Sequence, residues 1–75
     1  MIRTMRMLCN EGDKLMAEWD VETVSPQRLA EIEAEFNKKM AEGWFAVDIQ
    51  DKQDHLIRAF DPKAEILLIP RVQGG

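Results

Sequence analysis

The residues of this sequence whose chemistry is simplest to state are the last two, Gly74 and Gly75. They follow a strongly apolar run in the segment EILLIPRVQGG, which extends from Glu65 to Gly75. Glycine is the usual residue where a backbone must bend freely or pass through a narrow space. Folding alone requires neither property at the end of a chain. Two interpretations of this C-terminal segment follow: it is a frayed end without a function, or it is a tail that another protein binds.

The side chains outside the tail offer little chemistry of their own. The sequence has one cysteine, Cys9, and one histidine, His55, so neither a structural zinc site of the usual kind nor an intrachain disulfide can be assembled. It has no Gly-rich phosphate loop and no nucleophile elbow. We interpret Cys9 as a small core or strand-end residue and His55 as a solvated side chain. We therefore expect a protein that is not an enzyme and holds no metal or cofactor itself.

Length and charge restrict the class of protein further. A chain of 75 residues has room for one hydrophobic core. A net charge of −4 disfavours a nucleic-acid backbone as the main partner. No apolar run approaches membrane-spanning length, and the opening MIRTMRM does not resemble a signal peptide. Together with the single cysteine, which suits a reducing compartment, these features predict a cytoplasmic protein without nucleic-acid or membrane partners.

The first third of the sequence predicts an antiparallel hairpin. Apolar and polar residues alternate from Arg3 to Cys9, and again from Lys14 to Val21, with the turn residues NEGD between the two runs. Strict alternation in the second run places four apolar residues on one face: Leu15, Ala17, Trp19 and Val21.

The middle of the sequence predicts one helix from about Pro26 to Glu42. Ser25 suits the N-cap position and Pro26 the first helical position, while Gly43 is a typical helix stop. Apolar residues recur at intervals of three and four and form one stripe: Leu29, Ile32, Phe36 and Met40.

Three further strands follow the helix, in WFAVDIQ, HLIRAF and EILLIPRV, so the predicted order is ββαβββ. In the first of these we expect Phe45, Val47 and Ile49 to face inward. In the last strand, alternation places Leu67 and Ile69 on the face opposite the helix. An apolar outer face there indicates either a partner-binding patch, which Trp44 and Met16 would extend, or a strand covered on both sides.

This pattern resembles the β-grasp fold of ubiquitin-like proteins over nearly the whole chain. A leading hairpin, a helix packed across a mixed sheet and further strands are shared with that α+β fold, as is the ending LLIPRVQGG, a strand, a basic residue and a diglycine. The small sulfur carriers of molybdopterin and thiamine synthesis share both the fold and the diglycine. Three segments of this chain resemble the corresponding parts of the molybdopterin-type carriers: the ending IPRVQGG, and the preceding segments FAVDIQ and FDPKAEILL.

The resemblance implies that the chain is a protein modifier, with a domain at residues 1–72 and a flexible tail at residues 73–75. A partner enzyme would adenylate the carboxylate of Gly75 with ATP and magnesium, and the acyl group would pass to a cysteine and then to amino groups of target proteins. Gly74 and Gly75 would thread a narrow channel, and Arg71, Val72 and Gln73 would be recognised as the tail. Leu67 and Ile69 would form the partner-binding patch. A transfer enzyme and a deconjugating protease are further implied partners.

Two other functions remain open at this point. The chain could be a sulfur carrier that bears a thiocarboxylate at Gly75, or a binding or assembly module that is never activated. Arg71 is the only basic residue near the end, and Gln73 stands where ubiquitin has arginine. These departures, together with the direct run of the helix into GWFAV, favour a prokaryotic or otherwise divergent member of the family.

Overall fold

The computed structural model describes residues 1–50 and 54–71, which form a small α+β domain with one helix and five strands. In chain order the elements are β1 (Ile2–Cys9), β2 (Gly12–Asp20), α1 (Pro26–Ala41), β3 (Phe45–Asp48), β4 (His55–Ile57) and β5 (Ile66–Ile69). The sequence predicted these six elements in this order.

The five strands form one mixed sheet in the order β2-β1-β5-β3-β4. The pair β1 and β5 is parallel, whereas the other three neighbouring pairs are antiparallel. The last strand of the chain therefore lies at the centre of the sheet and has a strand on each side. A central strand cannot detach without breaking two ladders, so the chain just beyond Ile69 emerges from a firmly held element.

The hairpin of β1 and β2 contains a bulge that the sequence pattern did not indicate. Met5 pairs with Ala17, but the next residue, Arg6, pairs with Leu15, so Met16 is an extra residue on β2. An extra residue moves the side chains beyond it to the other face of the sheet. Leu15 is accordingly 48% exposed, and Met16 packs against the core. The expectation that Leu15 shares a face with Ala17 was wrong for this reason.

The helix α1 begins at Pro26 as its sequence predicted, and it ends at Ala41, one residue before the predicted end, with Glu42 as the C-cap. The Ser25 Oγ accepts a hydrogen bond from the backbone N–H of Arg28 at 3.1 Å, which satisfies one of the unpaired donors of the first turn. At the other end Gly43 has a φ of +99°, a conformation that favours glycine. Ile32 and Phe36 are buried beneath the helix, and the remaining stripe residues are partly buried against the same core.

The core lies between α1 and one face of the sheet, which we call the inner face. Its buried members are Met5, Ala17, Trp19, Ile32, Phe36, Ala46, Ala64, Ile66 and Leu68. Phe60, from the segment between β4 and β5, adds a partly buried ring whose centroid lies 5.8 Å from that of Trp19 and 5.7 Å from that of Phe36. The segment before β5 is thus packed into the core from the side.

Strand β3 faces opposite to the expectation. Ala46 pairs with Leu68 and is buried with it on the inner face, so Phe45 and Val47 point to the other face. Phe45 is 49% exposed, and Ile49 is also exposed. Alternation fixes which residues of a strand share a face, but the register against β5 decides which face the helix covers. The expectation that Phe45, Val47 and Ile49 face inward was wrong.

Candidate interaction surface and tail attachment

The predicted tail, residues 73–75, follows the central strand β5 in the sequence. β5 ends at Ile69, and Pro70 and Arg71 are the last residues that the structure describes. Val72, Gln73, Gly74 and Gly75 lie outside the described residues, and so does the predicted boundary between residues 72 and 73. The structure therefore places the attachment point of the tail and not the tail itself.

Arg71 lies beside the turn that ends the helix. The position that a Cβ on Gly43 would occupy is 3.6 Å from Cδ of Arg71, so the stem of the arginine covers this turn. The backbone N–H of Gly43 is itself bonded to the carbonyl of Met40 at 3.0 Å. A cation near a helix C-terminus interacts favourably with the helix dipole. The chain consequently leaves the sheet next to the C-terminal end of α1.

Five apolar residues on three adjacent strands form what we call the outer apolar face, on the side of the sheet opposite the helix. Its members are Leu67 and Ile69 on β5, Phe45 and Val47 on β3, and Leu56 on β4. Leu67 pairs with Val47, Ile69 pairs with Phe45, and Val47 pairs with Leu56, so the five side chains are direct neighbours.

Exposure within the outer apolar face rises towards its margins. Val47, at its centre, is only 7% exposed, whereas Leu56 is 72% exposed. Leu67 and Ile69 are partly buried, in contrast to the fully buried Ile66 and Leu68 that alternate with them. The predicted alternation along β5 is therefore confirmed. This face can bury apolar surface against a partner without any rearrangement of the core.

The surroundings of this face differ from the sequence expectation. Trp44 and Met16, expected as possible extensions, both pack against the core instead. Phe45 and Leu56 were missed, because the faces of β3 and β4 depend on register. Arg6 pairs with Leu67 on one side and with Leu15 on the other, so a cation adjoins the apolar residues on β1.

A polar cluster fixes the start of β5 against β1. The backbone N–H of Thr4 donates to Glu65 Oε1 at 2.8 Å, and the Thr4 hydroxyl donates to the same oxygen. Nη1 of Arg3 lies 3.8 Å from Glu65 Oε2, and the N–H of Glu65 donates to Asp48 Oδ1 at 3.3 Å. These contacts join three strands at one end of the sheet, so we assign the cluster a structural role in holding the register.

The remaining candidate groups do not assemble into a reactive site. Within residues 1–50 and 54–71, no three His, Cys, Asp or Glu side chains are grouped so that they could hold a metal ion. Cys9 is exposed at the end of β1, where its thiol donates to the carbonyl of Gly12 at 2.9 Å.

Within residues 1–50 and 54–71, the helix α1 is too short and too polar to cross a membrane.

Among the described residues, the carboxylate of Asp20 has a shifted pKa. The pKa of Asp20 lies below its usual value of 3.8, chiefly because its carboxylate accepts a hydrogen bond from the backbone N–H of Glu22 at 2.9 Å. The ammonium group of Met1, 3.2 Å from Asp20 Oδ1, acts in the same direction. Asp20 lies at the end of β2, at one edge of the sheet and away from the outer apolar face. We therefore interpret the lowered pKa as a contribution of Asp20 to the stability of the fold.

The described residues offer an outer apolar face and a central strand, β5, after which the last residues of the sequence follow. Comparisons with protein-family models, curated proteins and solved structures gave no match for this chain.

Proposed function

We propose that this chain is a ubiquitin-like β-grasp modifier, whose Gly75 carboxylate is adenylated by an activating enzyme and then joined to amino groups of target proteins. The proposal is supported by the sequence resemblance and by an architecture that agrees with it: a leading hairpin, one helix packed across a mixed sheet, and a final strand followed by the diglycine segment.

The observation that carries the proposal is the position of β5. A terminal carboxylate is a poor electrophile, so the proposed chemistry requires a tail that can enter the active site of another enzyme. β5 is held at the centre of the sheet and ends at Ile69, and the next two residues, Pro70 and Arg71, are not part of a strand. The buried core of the described residues includes none that follows Leu68, so we expect truncation or extension at Gly75 to leave the fold intact.

The chemical steps proposed for Gly75 follow from its carboxylate. The partner's ATP, with magnesium, supplies an adenylyl group to the carboxylate and releases pyrophosphate. A partner cysteine then displaces AMP and forms a thioester, which remains reactive enough for a lysine amine to attack. Without side chains, Gly74 and Gly75 leave the backbone slim enough for a narrow channel. ATP and magnesium belong to the partner enzyme in this scheme, and the chain itself performs no catalysis.

The outer apolar face favours a modifier over a free carrier. A protein tag acts through the proteins that recognise it, and these need a surface to bind. Leu67 and Ile69 lie on that face, as a recognition patch requires, and Phe45 and Leu56 enlarge its exposed area. We propose these four residues as the contact surface for an activating enzyme or a reader, in a cytoplasmic setting.

The second candidate is a sulfur carrier with a thiocarboxylate at Gly75. The feature that favours it is the ending IPRVQGG, which resembles the molybdopterin type more closely than the arginine-rich tail of ubiquitin. Both candidates begin with an adenylate, so only the next acceptor of the acyl group separates them. A carrier would accept sulfur at Gly75 and leave as a free small protein.

The deciding experiment follows N-terminally tagged protein in its native host, with a variant that carries one added alanine after Gly75 as the matched control. A modifier gives larger species that resist thiol reductants and carry a Gly74–Gly75 remnant on lysine, and the capped variant gives none. Unconjugated protein with one oxygen replaced by sulfur would establish the carrier instead. If the parent protein and the capped variant both stay unmodified in the host, the result would favour a binding module that is never activated. Equal thermal unfolding of the two proteins shows that the cap leaves the fold intact.

A further inference from the structure

A cleft lies at the end of the sheet where β3 begins, β4 ends and β5 ends. The register brings these three ends together, because Phe45 pairs with Ile69 and Ala46 pairs with Ile57. The C-terminal turn of α1 closes the same end. Between these elements is an open cleft of about 450 Å³, whose floor and walls include Met40, Trp44, Leu56 and Ile57. This volume is within the range of sites that hold small ligands or single peptide side chains.

Two arginines line this mostly apolar cleft. Arg58 directly follows β4 in the chain. Arg71 comes two residues after β5, and its side chain lies beside the turn at Gly43. Among the described residues, neither guanidinium forms an ion pair within 4.0 Å. Nζ of Lys39 lies 5.0 Å from the ring centroid of Trp44, which is a cleft wall, but it is paired with Glu42 Oε1 at 3.6 Å. Arg58 and Arg71 therefore supply the positive charge of the cleft, on a chain whose net charge is −4.

The charges and the apolar walls together define the chemistry of an occupant. Apolar walls bury an apolar side chain, and guanidinium groups bind carboxylates with directional hydrogen bonds. β4 is also an outermost strand of the sheet formed by the described residues, and a strand at this position offers N–H and C=O groups to an extended backbone. A peptide can use both features at once. Its backbone would follow the edge, and its side chains would enter the cleft and meet the arginines.

We propose that this cleft binds a short acidic peptide segment of a partner protein, in which a bulky apolar residue is flanked by aspartate or glutamate. The apolar side chain fills the space beside Trp44 and Ile57. The flanking carboxylates pair with Arg58 and Arg71. This binding does not depend on activation of Gly75. It makes Arg71 a residue that contacts a partner at the cleft, in addition to its position before the tail.

The test is an NMR titration of the ¹⁵N-labelled protein with acidic hexapeptides of the form acetyl-EDXXDE-amide, in which XX is Leu-Phe, Ile-Leu or Trp-Leu. The two tryptophans give an internal comparison, because the indole of Trp44 is at the cleft and that of Trp19 is in the core. We expect saturable shifts of the Trp44 indole and of the Leu56 and Ile57 amides, with the Trp19 indole unchanged. The control peptides are acetyl-EDGSDE-amide, which lacks the apolar pair, and acetyl-KKLFKK-amide, which reverses the charge.

Charge variants test the role of the arginines. Arg58→Gln combined with Arg71→Gln should weaken binding about fivefold, since two exposed ion pairs are lost. Arg28→Gln is the matched control, because Arg28 is an exposed arginine on α1 whose partner is Glu31 at 3.3 Å. It should leave the affinity unchanged. The three arginines are exposed, so we expect their substitution to leave the fold intact. Thermal melts check this, and all variants are compared at equal folded fraction.

Several results would overturn the proposal. The first is that no acidic peptide shifts the Trp44 indole at about 1 mM, a concentration that detects even weak binding. The second is equal affinity in the double-arginine variant. The third is that dilution of the protein alone produces the same shifts, which would identify a second copy of the chain as the occupant. The fourth is that removal of residues 72–75 reproduces them, which would identify the tail. Failure of the Gly75 experiment would leave all of these outcomes unaffected.

Discussion

The indole N–H of Trp19 donates a hydrogen bond of 2.9 Å to the carbonyl oxygen of Pro62, a residue 43 positions later in the chain. This bond joins strand β2 to the segment that precedes β5. The ring of Phe60, in the same segment, packs against the ring of Trp19. A region without regular structure is thereby fixed to the body of the domain, and β5 enters the centre of the sheet from a defined position.

Replacement of Trp19 by phenylalanine should destabilise the domain by about 1–3 kcal/mol, because it leaves the Pro62 carbonyl without its donor and removes part of a buried ring. The measurement is urea denaturation followed by circular dichroism. Gln27→Ala, at an exposed position on α1, is the control and should change the stability by less than about 0.5 kcal/mol. Equal midpoints for Trp19→Phe and the parent protein would show that the hydrogen bond contributes nothing.

Phe36→Ala should cost about 3–5 kcal/mol, since Phe36 is fully buried between α1 and the sheet. A loss of this size is a large fraction of the stability of a small domain and can unfold it. The adjacent change Asn37→Ala, on the exposed side of the helix, is the matched control and should have little effect. Thermal unfolding compares the two variants. A melting temperature for Phe36→Ala within a degree or two of the parent would contradict the observed packing.

The two faces of β5 should respond differently to substitution. Leu68→Ala removes a fully buried side chain and should cost about 2–5 kcal/mol, whereas Leu67→Ala, partly buried on the outer face, should cost clearly less. The double change Leu67→Ser with Ile69→Ser should therefore keep the fold while weakening binding to an activating enzyme or reader. Circular dichroism checks the fold before any partner is known. An unfolded double variant would show that these side chains serve the core.

Asp20 should give a measurable acid dependence of stability. Its folded pKa is lowered below 3.8, so its contribution is present above the unfolded pKa and is lost as the pH falls through the folded pKa. Asp20→Asn should thus lower the stability at pH 7, and the difference from the parent should shrink as the pH falls below about 4. Urea denaturation across this range measures it, with Glu33→Gln on the exposed helix as the control. A difference that stays constant with pH would assign the effect to something other than ionisation.

Local periodicity predicted much of this fold. The helix stripe of Ile32 and Phe36, the stop at Gly43 and the two faces of β5 all follow from spacing within one element, and the structure has them. What the sequence missed depends on pairing between distant segments. The inner position of Ala46 follows from its register with Leu68, and no pattern within β3 indicates it.

The same distinction applies to the candidate surfaces. Leu67 and Ile69 could be assigned from alternation alone, but Phe45 and Leu56 join them only through the ladders of β3 with β5 and β4. The cleft beside Trp44 is formed where α1, β4 and β5 end and β3 begins, so its residues are scattered along the chain. The roles of Gly74 and Gly75 stay a prediction, since these residues lie outside the described part of the chain.

The bulge at Met16 has a consequence for self-association. β2 is an outermost strand of the sheet, and a long regular edge of this kind is a template on which the strand of another molecule can add. The extra residue interrupts the even spacing of the edge N–H and C=O groups and increases the local twist. Lys14 and Glu18, both exposed on this strand, add charge to it. We therefore expect strand β2 to be a poor template for edge-to-edge pairing with a second copy of the chain.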